Sequence, residues 1–328
     1  MKHGGDLSEA MAQFGGAQEA WLDLSTGINP NPYPLPSLPN DAWQRLPSRT
    51  DEAALLATAR RAYAVSDDVG IVAAPGTQTL IQWLPRIVQH GAVAVISPTY
   101  NEHAAAWRLA GHEVTTIGAD EAIPDTVRHV VIVSPNNPDG SIVDHAALAC
   151  IAKNVAARDG VMVIDEAFAD LDPAISAMAL CQDWPVVVLR SFGKFYGLAG
   201  LRLGFAIGPQ NTIAQIREAM GPWICSGPAL VIGRVALDDD RWANETRIKL
   251  RERAAKLDAV LQTAGFAPAG GTTLFRLVRH PHASAYHTAL ARRRIWCRRF
   301  DWAEDLLRFG LPPDDAALDR LARALADI

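Results

Sequence analysis

Lys194 lies in a segment whose residue types suit covalent chemistry. An apolar run over residues 186–189 predicts a strand, Ser191 follows it, and Gly193 precedes the lysine on a predicted turn. Arg202 comes eight residues after Lys194. A lysine amine can bond to an aldehyde, while a hydroxyl and a guanidinium can bind a phosphate. These are the groups that pyridoxal phosphate requires of a protein, although a solvated lysine in a surface loop is the alternative.

Asp165 stands at the end of a second predicted strand. Residues 161–164 form a continuous apolar run, typical of a buried parallel strand, and two acids follow it. Functional acids in open α/β sheets lie at the carboxyl ends of such strands. An ionised carboxylate here can keep a pyridine nitrogen protonated; the alternative is a cap for the next helix.

Further predicted strands also end in residues with functional side chains or backbone. They cover residues 71–74, 92–96 and 130–133. Asn137 follows the last of these and can donate an amide to a ring hydroxyl, although turn chemistry alone explains the prolines and glycine around it. Tyr100 offers an aromatic face for stacking. Gly76 precedes and Thr77 begins a predicted helix over residues 77–89, where free backbone N–H groups and the helix dipole attract a phosphate.

In this order, the segments resemble fold-type-I pyridoxal-phosphate enzymes of the aspartate aminotransferase superfamily. The motifs are Asn-Asn-Pro at 136–138, Asp-Glu-Ala-Phe at 165–168, Ser-x-x-Lys at 191–194 and Gly-Leu-Ala-Gly-Leu-Arg at 197–202. Within the superfamily the chain resembles the histidinol-phosphate aminotransferases and, more closely, their sister family, the L-threonine-O-3-phosphate decarboxylases of cobalamin (vitamin B12) biosynthesis. His-Gly-Gly-Asp at 3–6, Asp-Leu-Ser-Thr-Gly-Ile-Asn-Pro at 23–30, and Phe168 are similar to that family.

The resemblance implies roles around the cofactor pyridoxal 5'-phosphate. Lys194 would be the catalytic residue bonded to its aldehyde, Asp165 would pair with the ring nitrogen, and Tyr100 would stack on the ring. Asn137 would bond the ring hydroxyl, with Phe168 beside it. The phosphate would be held by Gly76, Thr77, Ser191 and Arg202.

For the substrate, the resemblance implies an amino-terminal arm and two anion-binding arginines. The implied residues are His3, Gly4, Gly27, Asn137, Arg298 and Arg308. Arginine suits this task because its planar fork binds carboxylate or phosphate and stays charged. For Arg298 the alternative is an ordinary basic surface, since Arg292, Arg293, Arg294 and Arg299 crowd around it. The sequence leaves open which arginine would meet the phosphate and which the carboxylate.

The chain departs from the family pattern at three places. Phe168 replaces the usual tyrosine and cannot donate a hydrogen bond to the ring oxygen. Leu46-Pro47 occupies the place of a tyrosine that reaches the neighbouring subunit's cofactor phosphate. Gly27 stands where a related enzyme has asparagine, so a substrate contact there would use the backbone.

The resemblance implies decarboxylation of L-threonine O-3-phosphate to (R)-1-amino-2-propanol O-2-phosphate, the linker of the cobalamin nucleotide loop. Amino transfer on histidinol phosphate or an aromatic amino acid is the alternative, and it needs nearly the same residues. The motifs therefore predict the cofactor better than the reaction. A protein that kept the cofactor without turnover is disfavoured, because the whole set of cofactor residues is retained. The family leads us to expect a homodimer.

Composition excludes several other classes. A net charge of −5 with a pI near 6.0 argues against nucleic acid as the main partner. Four scattered cysteines without a CxxC pair indicate a reduced, cytoplasmic protein. The chain contains no apolar run near the ~20 residues of a membrane span. His280, His282 and His287 have no cysteine or acid to complete a metal site, so no metal is expected.

The elements that would position these residues predict an α/β protein of two domains. Between residues 71 and 207, short apolar strands alternate with helices, which indicates a largely parallel sheet. Afterwards come predicted helices over 238–264 and 284–294, strands over 272–278 and 306–309, and a closing helix from residue 314. We therefore expect a large cofactor-binding domain over residues 40–215. Residues 1–39 and 216–328 would form the amino-terminal arm and a smaller α+β domain.

Overall fold

The structure, a computed structural model, describes residues 4–328. Two compact units are present, the larger comprising residues 33–137 and 141–242, and the smaller comprising residues up to 32, 138–140 and 243–328. Residues 33–39 and 216–242 thus belong to the larger unit, outside the domain expected over 40–215. The helices within 210–237 account for much of this difference, because they contact the first strand and a helix of the larger unit. Across the described residues, every helix is too short or too polar to cross a bilayer.

Strands and helices follow one another along most of the chain. In chain order the strands are β1 (Leu22–Leu24), β2 (Gly70–Ala74), β3 (Ala92–Ile96), β4 (Glu113–Ile117), β5 (His129–Val133), β6 (Met162–Asp165), β7 (Val186–Ser191), β8 (Gly204–Gly208), β9 (Ala267–Thr272), β10 (Phe275–Arg279), β11 (Ile295–Phe300) and β12 (Ala303–Gly310). The helices are α1 (Ser8–Phe14), α2 (Asp41–Gln44), α3 (Arg49–Ala62), α4 (Thr77–Ile87), α5 (Glu102–Leu109), α6 (His145–Ala156), α7 (Leu180–Asp183), α8 (Phe192–Phe195), α9 (Gln210–Met220), α10 (Gly227–Leu237), α11 (Asp240–Thr263), α12 (Ala283–Arg292) and α13 (Asp315–Ala326).

The larger unit is built on a seven-stranded sheet in the order β2-β8-β7-β6-β5-β3-β4. Within this sheet only β8 runs antiparallel to its neighbours, so the prediction of a largely parallel sheet is confirmed. Strands β2, β5, β6 and β7 are buried along their whole length, which explains their continuous apolar sequences. The carboxyl ends of β3, β5, β6 and β7 meet at one edge of the sheet, where ligands of such folds bind.

The smaller unit contains a five-stranded sheet in the order β1-β11-β12-β10-β9. Strand β1 is parallel to β11, and the remaining pairs are antiparallel. The strand predicted over residues 272–278 is wrong as a single element, because residues 273 and 274 form the turn between β9 and β10. Gly270 and Gly271 lie within β9 at φ 139° and 138°, values that favour glycine. The sequence pattern did not indicate that these glycines belong to a strand.

Several helix predictions are confirmed with small shifts at their ends. The helix predicted over 238–264 is α11, and the helix predicted over 284–294 is α12. The closing helix α13 begins after Asp314, whose carboxylate accepts a hydrogen bond from the Ala317 N–H at 2.8 Å. The short elements β1, α1 and β11 carry no clear local pattern, and the sequence did not predict them.

Candidate functional site

A cavity of about 140 Å³ in the larger unit collects every residue that the resemblance placed around a cofactor. Those lining residues are Gly76, Thr77, Tyr100, Asn137, Asp165, Phe168, Ser191, Lys194 and Arg202. They come from the ends of β2, β3, β5, β6 and β7 and from the turns that follow. The cavity is also lined by Gln78, Val133, Ala167, Gly193, Ala199 and Leu203, which the sequence analysis did not name as cofactor residues.

One end of the cavity has the features of an anion seat. Gly76 precedes helix α4 at φ 83°, a value that favours glycine, and the first N–H groups of α4 begin there. A Cβ on Gly76 would lie 2.5 Å from Nη2 of Arg202, so the backbone and the guanidinium are in close approach. Arg202 is itself held in the left-handed region at φ 55°, and its Nη1 donates to the Ala199 carbonyl at 3.0 Å. Backbone N–H groups and a cation therefore converge on one point.

At another part of the cavity, Asp165 is held by a histidine that the sequence analysis missed. His103 Nε2 lies 2.8 Å from Asp165 Oδ2, and both side chains are buried. The other carboxylate oxygen accepts a hydrogen bond from the Ala167 N–H at 3.0 Å. These two contacts, one on each oxygen, fix the orientation of the carboxylate. The only sequence signal for His103 is its position three residues after Tyr100.

Tyr100 presents a neutral aromatic ring. Burial, reinforced by the carboxylates of Glu102 and Asp165, raises the pKa of Tyr100 to about 12, although Arg202 acts against this. Its hydroxyl donates to Gln78 Oε1 at 3.1 Å, and the Gln78 amide donates to Glu102 at 3.1 Å. The phenol consequently remains protonated at physiological pH, and this chain of hydrogen bonds restrains the ring.

Lys194 lies on the short helix α8, which aromatic side chains surround. The rings of Phe192 and Tyr196 stack at 4.3 Å, and Tyr196 also stacks on Trp242 at 5.6 Å. The ammonium of Lys194 is 6.0 Å from the centroid of the Phe168 ring. The aromatic packing restrains the turn that carries the lysine. Phe168 provides an apolar wall, with no hydroxyl to donate.

The smaller unit holds the two predicted arginines on adjacent strands. Arg298 of β11 pairs in register with Arg308 of β12. Arg308 is buried, donates from Nη2 to the Ser25 carbonyl at 2.8 Å and lies over the Phe275 ring at 5.0 Å. Burial, together with the charge of Arg298, lowers the pKa of Arg308 to about 10, which still leaves it cationic near neutral pH. Two positive charges side by side favour an anionic ligand.

Arg298 differs from the basic residues around it. It is half-buried, and burial lowers its pKa, whereas the neighbouring Arg292, Arg293, Arg294 and Arg299 are exposed. Arg298 therefore differs in exposure from the basic surface around it, and its role in binding an anion stays a prediction.

The remaining predicted substrate residues lie in the amino-terminal arm. His3 lies outside the described residues. Gly4 rests against Ser25, whose carbonyl oxygen a Cβ on Gly4 would strike, and Ser25 is the residue that Arg308 contacts. Gly27 is buried two residues farther along the chain. Gly4, Ser25 and Arg308 are therefore brought together within the smaller unit.

The comparisons with known proteins agree with this fold. The family model for aminotransferase class I and II matches residues 43–325. A threonine-phosphate decarboxylase from Sinorhizobium sp. is 43% identical over 99% of this chain and 97% of its own length. One of the same name from Pseudomonas aeruginosa is 42% identical over 99% of this chain and 97% of its own. The crystal structure of histidinol-phosphate aminotransferase from Sinorhizobium meliloti, in complex with pyridoxal-5'-phosphate, has a TM-score of 0.80 at 20% identity, covering 98% of this chain and 94% of that one.

A mostly parallel sheet with a lysine, an aspartate and an anion seat at its carboxyl edge defines the class of protein. The chain belongs to the class I and II aminotransferase family. Its expected fold class, the fold-type-I architecture, is confirmed.

Proposed function

We propose that this chain is a pyridoxal-phosphate-dependent carboxy-lyase that converts L-threonine O-3-phosphate to (R)-1-amino-2-propanol O-2-phosphate for the cobalamin nucleotide loop. The observation that carries the proposal is the pair of relatives named threonine-phosphate decarboxylase, 42% and 43% identical over nearly the whole chain. The four cysteines are free thiols, which suits the reducing cytoplasm that we propose as its location.

The groups around the cavity fit the proposed cofactor. Gly76, Thr77, Ser191 and Arg202 would hold the phosphate, because close backbone approach, a hydroxyl and a cation meet at that end of the cavity. Lys194 would bond to the aldehyde, and Asp165, oriented by His103, would pair with the protonated ring nitrogen. Tyr100 would stack on the ring. Asn137 would donate alone to the ring oxygen, since Phe168 has no hydroxyl.

The residues of this chain would then bind, orient and move protons. When bound, pyridoxal phosphate supplies an electron sink for the pair left when a bond at Cα breaks. The substrate amine would displace Lys194, whose freed amine is then available to carry a proton. Arg298 and Arg308, with the arm residues His3, Gly4 and Gly27, would hold the phosphate and carboxylate of the substrate. Asn137 would touch the substrate as well. By orienting the substrate, these residues would select breakage of the bond from Cα to the carboxylate over breakage of the Cα–hydrogen bond.

Replacement of Gly76 by alanine tests the phosphate seat. We expect the dissociation constant for pyridoxal phosphate to rise about tenfold or more, because the new Cβ displaces the Arg202 guanidinium and the backbone at φ 83° is strained by about 1–3 kcal/mol. Titration of the apoprotein with cofactor measures the constant. Gly200→Ala is the matched control, because its Cβ meets no atom within 4 Å. An unchanged constant in Gly76→Ala contradicts the assignment of this seat.

The reaction is tested by incubating cofactor-loaded protein with L-threonine O-3-phosphate in the absence of any keto acid. We expect carbon dioxide release and the amine phosphate product, followed by mass spectrometry. If histidinol phosphate instead converts the cofactor to its amine form while L-threonine O-3-phosphate does not react, the protein is an aminotransferase. That second candidate is kept because less similar relatives, 26% and 30% identical, are named histidinol-phosphate aminotransferase.

We further propose that the protein is a homodimer. Trp43, Leu46 and Trp223 are large apolar side chains that are more than 60% exposed, and α2, which carries Trp43, contacts α10. Pro47 and Trp223 also line a groove of about 610 Å³. Exposed apolar patches of this kind commonly mark protein interfaces. In the family, the residue at Leu46 lies near the neighbouring subunit, which supports a second copy of this chain as the partner.

Two substitutions test the dimer. Wild-type protein is expected to sediment at twice the 35.4 kDa mass of the chain, and Trp43→Glu with Leu46→Glu is expected to sediment at that single mass, because charge in an apolar interface is costly to bury. Leu109→Glu, at a side chain that is 72% exposed, is the control and should leave the mass unchanged. A wild type that sediments as one chain rejects the proposal.

A further inference from the structure

A buried cluster of charges lies beside the cavity in the larger unit, yet none of its members lines that cavity. Arg190 Nη1 is 2.9 Å from Glu166 Oε2, and Nη2 of the same guanidinium pairs with Asp170. Each of the three side chains is at most 6% exposed. The ring of Tyr63 covers the guanidinium, with 4.5 Å from Cζ to the ring centroid. The cluster is therefore sealed from solvent.

Burying the charges of this cluster requires considerable desolvation free energy. Burial acts to lower the pKa of Arg190, but the carboxylates of Asp170 and Glu166 outweigh it and raise that pKa. Arg190 therefore stays cationic. Well-packed apolar side chains in place of a buried ionic triad often leave a fold equally stable or more stable. Stability alone is consequently a weak reason for this arrangement, and its position in the sheet suggests a different role.

Arg190 and Glu166 are each adjacent in sequence to a cavity residue. Glu166 follows Asp165 at the end of β6, and Arg190 precedes Ser191 at the end of the neighbouring β7. Successive side chains of a strand point to opposite faces, so the ion pair joins the two strand ends from the side away from the cavity. The Glu166 N–H also donates to the Leu189 carbonyl at 2.9 Å. The spacing between Asp165 and Ser191 is set at this junction.

The same guanidinium ties both ends of the segment that carries Phe168. Glu166 precedes Phe168 by two residues, and Asp170 follows it by two. Glu166 is secured further by the Ser176 hydroxyl and the Ala177 N–H, each at 2.6 Å. One side chain thus holds the loop that places the Phe168 ring 6.0 Å from the Lys194 amine.

We propose that Arg190 is a positioning residue. By pairing with both Glu166 and Asp170, it holds Asp165 and Phe168 in fixed positions relative to Ser191 and Lys194. The inference rests on the proposed cofactor site. It applies equally to decarboxylation and to amino transfer, because it concerns the cofactor site and not the substrate.

The test needs a variant that removes the cluster without burying an unpaired charge. Arg190→Met alone leaves two buried carboxylates without their cation and is expected to destabilise the fold. The combination Glu166→Gln, Asp170→Asn and Arg190→Met removes all three charges. The amide oxygen introduced at position 166 can still accept from the Ala177 N–H, and the amide NH2 can donate to the Ser176 hydroxyl oxygen. The control is Arg61→Met with Asp238→Asn, which removes an exposed ion pair of 2.9 Å in the same unit.

We expect the triple variant, as apoprotein, to melt near the wild-type temperature. Its dissociation constant for pyridoxal phosphate should rise about 10- to 100-fold, as is typical when residues that orient a site are lost. The absorbance maximum of the bound cofactor should shift, and a smaller fraction should be trapped on Lys194 by borohydride. Arg190→Lys keeps the charge without the two-armed fork. It should retain the melting temperature and still raise the dissociation constant.

A folded triple variant with the wild-type dissociation constant and absorbance overturns the proposal. If the triple variant does not fold, Arg190→Lys decides: a raised constant at a native melting temperature supports the proposal, and an unchanged constant refutes it. If wild-type protein binds the cofactor but does not release carbon dioxide, the proposed reaction fails while this inference is judged on the same binding data. If wild-type protein binds no cofactor, both fail.

Discussion

Lys194→Ala is expected to abolish carbon dioxide release from L-threonine O-3-phosphate, lowering the rate by about 10⁴-fold or more. Among the described residues that line the cavity, no other carries an amine that can bond to an aldehyde or return a proton to Cα. The cavity itself should survive, because the aromatic stacks on Phe192 and Tyr196 hold α8 independently of the lysine side chain. Cofactor uptake is therefore expected to weaken without loss of the fold.

Two measurements check this variant. The first is the rate of product formation by mass spectrometry, and the second is borohydride reduction followed by peptide mapping, which should find the cofactor on Lys194 in the wild type. Lys153→Ala is the matched control, because Lys153 is an exposed lysine in α6 of the same unit. A cofactor adduct on any other lysine, or a rate within tenfold of the wild type, contradicts the assignment.

Asp165→Asn is expected to lower kcat by about 10²–10³-fold, the effect typical of losing one preorganised electrostatic partner of a reacting group. Asparagine has nearly the same shape and can still accept from the Ala167 N–H, as Asp165 does at 3.0 Å. It lacks the negative charge that, in the proposed site, would hold a proton on the cofactor's ring nitrogen. Without that proton, the ring is a poorer acceptor for the electron pair that decarboxylation leaves at Cα.

The pH dependence separates this effect from misfolding. The ring nitrogen in Asp165→Asn must take its proton without a counter-charge, so residual activity should rise as the pH falls, relative to the wild type. The control is Asp125→Asn, whose carboxylate is fully exposed in its pair with Arg158. A near-normal kcat in Asp165→Asn, or a pH profile that matches the wild type, means that the ring nitrogen needs no carboxylate partner here.

The local sequence predicted the strands at the cavity edge of the sheet well, because each strand and its exit turn are encoded by neighbouring residues. Buried parallel strands are continuously apolar, so β2, β5, β6 and β7 were visible as runs, and the polar residues after them marked one edge of the sheet. The smaller unit was predicted less well. The hairpin of β9 and β10 was mistaken for one strand. A Gly-Gly pair is typical of a turn, so the strand was predicted to begin after Gly271, whereas Gly270 and Gly271 lie within β9 in the structure.

By itself, the sequence determined which residue types stand at the ends of the strands: the amine of Lys194, the carboxylate of Asp165 and the glycine that permits an anion seat at residue 76. These are properties of residue type and short spacing, so neighbouring residues suffice to indicate them. Only the tertiary structure decided which distant side chains support them. His103 meets Asp165 across 62 residues, and Arg308 reaches Ser25 across 283. Such contacts depend on strand order, register and packing, and no local pattern of residues carries that information.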